Sequence, residues 1–349
     1  MATDFRDLPD LALRPLGAGV VWANDAAFAG PQNLLLPGPP VFDATAFGHR
    51  GKVYDGWETR RRRQPGHDEV VVRLGVSGVV RGVVVDTTWF RGNYPPFASV
   101  EAVHLPDYPA VDQLRQAEWL PLIPRSPLRG DTENLFPVTD ERCWTHVRLC
   151  IYPDGGVARL RVHGEPLPDP RFLDGDGVDL AAVENGGRVV ACSDRFFGPP
   201  GNLICPGTAR SMAEGWETAR RRDDGNDWVV VRLAGAGTVR IAELDTSHFL
   251  GNSPGWASLR GWVGADHGPG DGRDQRELLP RTRLQPDTRH RFLLPAGPEV
   301  THVRLDIYPD GGMARLRLVG ALTPQAREQA LRRWAAALPG TPGRDGGTG

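Results

Sequence analysis

The chain has 349 residues, with 41 basic and 43 acidic side chains and a formal net charge of −2, a balance that excludes a protein held to nucleic acid by a broad phosphate footprint. Apolar residues make up 40% and charged residues 24%, the composition of a globular chain long enough for about two domains rather than of a disordered one. Gly 43 and Pro 32 favour turns and short strands over long helices. The opening MATDFRDLPDLALRPLGAGV carries early acids and no apolar run, and no stretch nears the roughly 18 apolar residues of a membrane helix. Neither a secretory signal nor a membrane anchor is expected.

In chain order, the first recurring segment is NDAAFAGPQNLL at 24–35, which resembles SDRFFGPPGNLI at 193–204. GWETRRRRQPGHDEVVVRL at 56–74 returns as GWETARRRDDGNDWVVVRL at 215–233, an offset of 159 residues. The match runs ungapped through DTTWFRGNYP at 86–95 and DTSHFLGNSP at 245–254, with 23 of 40 positions identical from 56 to 95. HVRLCIYPDGGVARLRVHG at 146–164 recurs as HVRLDIYPDGGMARLRLVG at 302–320. A period this long marks a duplicated domain, not a solenoid. The copies are expected at 15–168 and 186–321, joined by the linker-like PLPDPRFLDGDGVDL. TPQAREQALRRWAAAL at 323–338 has a Thr-Pro start and helical apolar spacing, which predicts one C-terminal helix before a disordered tail at 339–349.

Within each copy the apolar period is two. Val147, Leu149 and Ile151 alternate with polar neighbours, as do Ala158, Leu160 and Val162, with PDGG between them reading as a hairpin turn. Val70, Val72 and Leu74 form another strand, and VVRGVVVDT at 79–87 a further, more buried one. The pattern predicts an all-β fold, two repeated jelly-roll sandwiches, and no phosphate loop or strand–helix alternation supports a dinucleotide fold.

The set DGWETRRRR, GHD, VVVRLG, VDT and the F-x-G-N-x-P that follows resembles the allantoicase family, and the likeness covers both copies. That resemblance implies two galactose-binding-like jelly rolls and the hydrolysis of allantoate to ureidoglycolate and urea in purine (urate-derived) degradation. Such chemistry needs a cation for the substrate carboxylate, an acid to protonate the departing nitrogen and a base to deliver water.

Residues of those types supply the candidates. Glu58, His67 and Asp86 are expected to share the acid–base work, with Glu58 alternatively a structural partner of a nearby arginine. Arg61 and Arg63 are expected to grip the carboxylate, since alternate members of the run 60–63 share a face. Asn93 suits a ureido group as both donor and acceptor, and Asp68 and His146 complete the binding set, although Asp68 also reads as a turn cap. The second-copy counterparts are Glu217, Arg220, Arg222, Asp227, Asp245, Asn252 and His302. Arg60, His67 and Trp89 become Ala219, Asn226 and His248, asymmetries that favour catalysis by the first copy alone.

No cofactor is expected. A divalent metal is left open, with no HxH or HExxH spacing to support it and no metal ligands assigned. Cys143, Cys150, Cys192 and Cys205 form no CxxC pair, Cys150 matches Asp306, and scattered thiols suit a reducing cytoplasm. The expected partner is small-molecule allantoate, without nucleic acid or membrane, in a chain free to form a homo-oligomer. The rival reading is a non-catalytic small-ligand-binding jelly roll.

Overall fold

One 19-residue strand organises each repeat, Asp68–Asp86 in the first and Asp227–Asp245 in the second. These elements come from a computed structural model that describes residues 4–49, 51–266 and 275–340. The sequence pattern suggests two strands at 70–74 and 79–87, but the chain continues straight through Gly75 and Gly78. Its first half pairs with Gly19–Ala23 and Cys143–Tyr152, its second half with Glu133–Pro137 and Arg159–Pro166, all antiparallel. The register slips between Arg73 and Gly78, where one set of partners gives way to the other. A Cβ on Gly78 would come 2.5 Å from the Glu165 carbonyl oxygen, so only glycine permits that close approach.

Phe97–Val103 and Leu120–Pro127 extend the first set of partners. The second repeat reproduces the scheme around its own long strand. The fold is therefore all-β, two repeated jelly-roll sandwiches followed by a helix at Pro324–Ala337. Of the expected tail, residues 341–349 lie outside the described residues.

PDGG is not the hairpin its composition suggests. Cys143–Tyr152 and Arg159–Pro166 do not pair with each other, and each adds instead to a different half of the long strand. Asp154 spends its carboxylate on the Arg62 backbone N–H at 2.7 Å, as Asp310 does on that of Arg221 at 2.7 Å. Side-chain capping from a distant segment overrides the local turn preference.

Two compact units result, one holding the described residues up to Leu167 together with those from Trp334 onward, the other Pro168–Arg333. The alternating strand residues are their cores: Val70, Val72, Leu149, Ile151, Leu160 and Val162 are fully buried, each contributing about 1.5–3 kcal/mol. Residues before position 15 belong to the first core too, with Leu11 and Ala12 buried and Asp10 bridging to His163. Within that unit Trp334 and Ala337 pack against Val79, Cys143 and Leu167. Much of the repeated motif is packing. Trp57 and Trp216 are fully buried and donate their indole N–H to the Asp25 and Asp194 carbonyls. Phe90 fills the space left by Gly156, where a Cβ would lie 2.0 Å from the ring, and Phe249 does the same at Gly312.

Candidate active site

The two-residue strand Trp57–Glu58 pairs with Gly156–Val157, which fixes the Glu58 backbone beside the end of the sandwich. Its side chain, half-buried, accepts a 2.7 Å hydrogen bond from Asn93 Nδ2. Asn93 is held in turn by its carbonyl, which accepts the Gly156 N–H at 2.8 Å. Burial pushes the Glu58 carboxyl above its ordinary pKa, and the bond from Asn93, which favours the charged form, only partly opposes that. The second repeat builds the same pair: Asn252 Nδ2 donates to Glu217 at 2.6 Å, and the Gly312 N–H donates to the Asn252 carbonyl at 2.8 Å. In both repeats acid and amide stand 35 residues apart in sequence.

The arginine run divides by position. Arg62 turns inward, its Nη1 donating to buried Asp68 at 2.6 Å, and Arg221 turns to Asp227 in the same way at 2.9 Å. Arg61, Arg63, Arg220 and Arg222 are exposed and make no hydrogen bond or ion pair among the described residues. Four guanidinium groups, two per repeat, therefore stand free to receive an anion. A shallow recess lined by Asn24, Asp25, Ala26, Ala27, Phe28 and Arg60 lies beside the run in the first repeat.

Several expected members lie elsewhere. Asp86 is buried and accepts from Thr88 N–H and Oγ at 2.9 and 2.6 Å, and Asp245 serves Ser247 in the same way. Both cap a turn rather than face a ligand. Asp68 is buried under Arg62 and Asn24, and Asp227 under Arg221 and Ser193, so these carboxylates anchor the arginine segment. His146 is 1% exposed and bonded to Thr145 Oγ1, while His302 stacks on Trp262 and bonds to Asp266. His67 has no bond to the Glu58–Asn93 pair: its Nε2 lies 3.3 Å from Glu69 and its ring against Tyr152.

The asymmetries between the copies also fall outside the acid–amide pair. Arg60 bonds to Asp25 through its N–H and Nε, and Ala219 keeps the backbone half of that contact to Asp194. Trp89 and His248 share a left-handed backbone at φ 71° and 72°, and each donates its N–H to an aspartate across the loop, Asp131 or Asp287. Their rings both reach backbone carbonyls, of Pro40 and Ala209. Asp25, Asp194, Asn24 and Ser193 were the supporting residues that the motifs did not mark, although the likeness of 24–35 to 193–204 contains them.

Fold and geometry together define a duplicated β-sandwich protein with one acid–amide pair and two exposed, unpaired arginines in each half. The model of the allantoicase repeat matches residues 9–167 and again 178–323. The chain is 59% identical to a probable allantoicase of Nocardia farcinica over 321 residues, 91% of this chain and 95% of that one. It is 46% identical to one of Pseudomonas aeruginosa, covering 91% and 97%. The crystal structure of the Saccharomyces cerevisiae allantoicase superposes with a TM-score of 0.76 at 33% identity, over 89% of this chain and 92% of the other. The chain belongs to the allantoicase family.

Proposed function

We infer that this protein is a hydrolase acting on a linear amidine-type C–N bond, which splits allantoate with water into ureidoglycolate and urea. Family membership across both repeats carries that reading. It favours a catalyst over a binding module.

We propose that each repeat builds its own site. Arg61 and Arg63, or Arg220 and Arg222, hold the substrate carboxylate. Asn93 or Asn252 fixes one carboxylate oxygen of the neighbouring glutamate through Nδ2 and leaves the other free for the substrate. Glu58 or Glu217, as the general acid, gives a proton to the nitrogen of the departing urea as the bond to the central carbon breaks. The remaining ureido nitrogen shares the positive charge that develops there. Water then adds to that carbon and returns a proton to the same carboxylate, so the acid is regenerated. The raised proton affinity of Glu58 supports the first role.

No helix among the described residues is long and apolar enough to cross a membrane. The four free cysteines support a place in the reducing cytoplasm, and the balanced charge supports a small-molecule partner without nucleic acid. The test is urea release: purified chain given allantoate liberates one urea per ureidoglycolate. Allantoate that binds without liberating urea would establish the binding-module reading instead.

A further inference from the structure

The outer face of the first repeat's sheet gathers three metal-binding side chains that the reaction does not use. Glu69 and Cys150 are direct cross-strand partners, and His67, two residues before Glu69, falls on the same face while Asp68 between them points inward. One ligand atom from each lies within 4.8 Å of the others. His67 Nε2 is 3.3 Å and Cys150 Sγ 3.9 Å from Glu69 Oε2. Bond lengths of about 2.0–2.3 Å around a tetrahedral zinc ion place its ligand atoms roughly 3.3–3.7 Å apart. A small side-chain adjustment therefore suffices. We propose that His67, Glu69 and Cys150 bind one Zn²⁺-class ion in the first repeat, with a fourth position open to solvent.

The surrounding charges suit a cation. Glu69 and Glu101 share a single guanidinium, that of Arg148, whose Nη1 is 3.8 Å from Glu69 while its Nε bonds to Glu101 at 2.7 Å. Arg115, which shares a recess with Glu69 and Arg148, stacks on the Trp22 ring at 4.4 Å, and Arg125 stacks on the Tyr152 ring at 4.5 Å, with Tyr152 in turn bonded to Ser99. Burial, with Glu101 and Glu69 adding to it, pushes the Cys150 thiol up to about 12. Metal binding reverses that: the thiolate bonds to the ion and its proton passes to solvent, one proton per ion. A thiolate–imidazole–carboxylate set selects Zn²⁺ or Co²⁺ over Mg²⁺ or Ca²⁺.

The second repeat is a built-in control. Asn226, Trp228 and Asp306 occupy the three positions, Asn226 donates to Asp306 at 2.9 Å, and Trp228 stacks under Arg304. Those contacts leave no comparable set there among the described residues.

Chelator-treated full-length chain titrated with Co²⁺ tests the site. The expected result is one ion per chain, a thiolate-to-cobalt charge-transfer band in the near ultraviolet, and displacement of Co²⁺ by Zn²⁺. Cys150→Ser abolishes the band with unchanged far-ultraviolet circular dichroism, while Cys192→Ser retains it. Glu69→Trp, which copies Trp228 and keeps the thiol, weakens Co²⁺ binding about 10-fold or more. Absence of the band, its survival in Cys150→Ser, or full affinity in Glu69→Trp would each overturn the proposal.

Discussion

The first and second repeats differ most where they were expected to matter and least where the acid sits. Arg60, His67 and Trp89 are replaced in the second copy, yet their hydrogen bonds go to other residues than Glu58 or Asn93, and the Glu217–Asn252 bond is as short as its counterpart. What separates the copies is their outer face: His67, Glu69 and Cys150 in one, Asn226, Trp228 and Asp306 in the other. Duplication kept the part that packs and carries the acid and let these three positions on the other sheet face drift.

Changing both acids at once bears hardest on this comparison. Glu58→Gln with Glu217→Gln is expected to lower kcat about 10²- to 10⁴-fold, the ordinary worth of a positioned acid, with urea release as the readout. A double variant near the normal rate would remove both glutamates from the chemistry.

The two buried histidines offer the next contrast. His146 is pushed down to about 4, chiefly by burial and also by Arg73 and His104. Burial also lowers His302, but Asp266 opposes it. A depressed imidazole stabilises the fold above its unfolded value near 6.5 and loses that contribution as pH falls toward 4, up to about 3 kcal/mol for His146. The unfolding free energy read from denaturant melts should therefore fall from pH 7 to pH 4, and His146→Gln should reduce that fall more than His302→Gln. Equal slopes would refute the difference.

Smaller effects are expected at the free guanidinium groups. Removing Arg61, Arg63, Arg220 and Arg222 together should raise KM roughly 10- to 100-fold, the worth of charge-assisted bonds to a carboxylate, with kcat nearly unchanged. A fall in kcat at constant KM would move these arginines from binding to chemistry. The mildest change is Asn93→Ala with Asn252→Ala. Because the Asn93 bond favours charged Glu58, its loss should shift the alkaline limb of the rate profile to higher pH, and a shift to lower pH would contradict the assignment.

The duplication, the β class and the C-terminal helix were legible because they rest on period and composition. Glu58, Asn93 and the alternate arginines were legible as residue types, and their equal spacing in both copies was visible, but the bond between acid and amide depends on how Trp57–Glu58 docks against Gly156–Val157. Asp86 and Asp68 misled because a buried carboxylate capping a turn or pairing with Arg62 looks, in sequence, like one aimed at a ligand. PDGG misled because Asp154 answers to a segment 92 residues away. Cys150 has only Asp306 as its match in the second copy, and nothing local shows that it faces Glu69 on the neighbouring strand.

The most direct measurement is steady-state urea release by Glu58→Gln and Glu217→Gln singly. If each repeat holds a working site, each variant retains about half of kcat with an unaltered KM, as independent sites should. One variant inactive and the other at full rate would show that a single repeat does all the work.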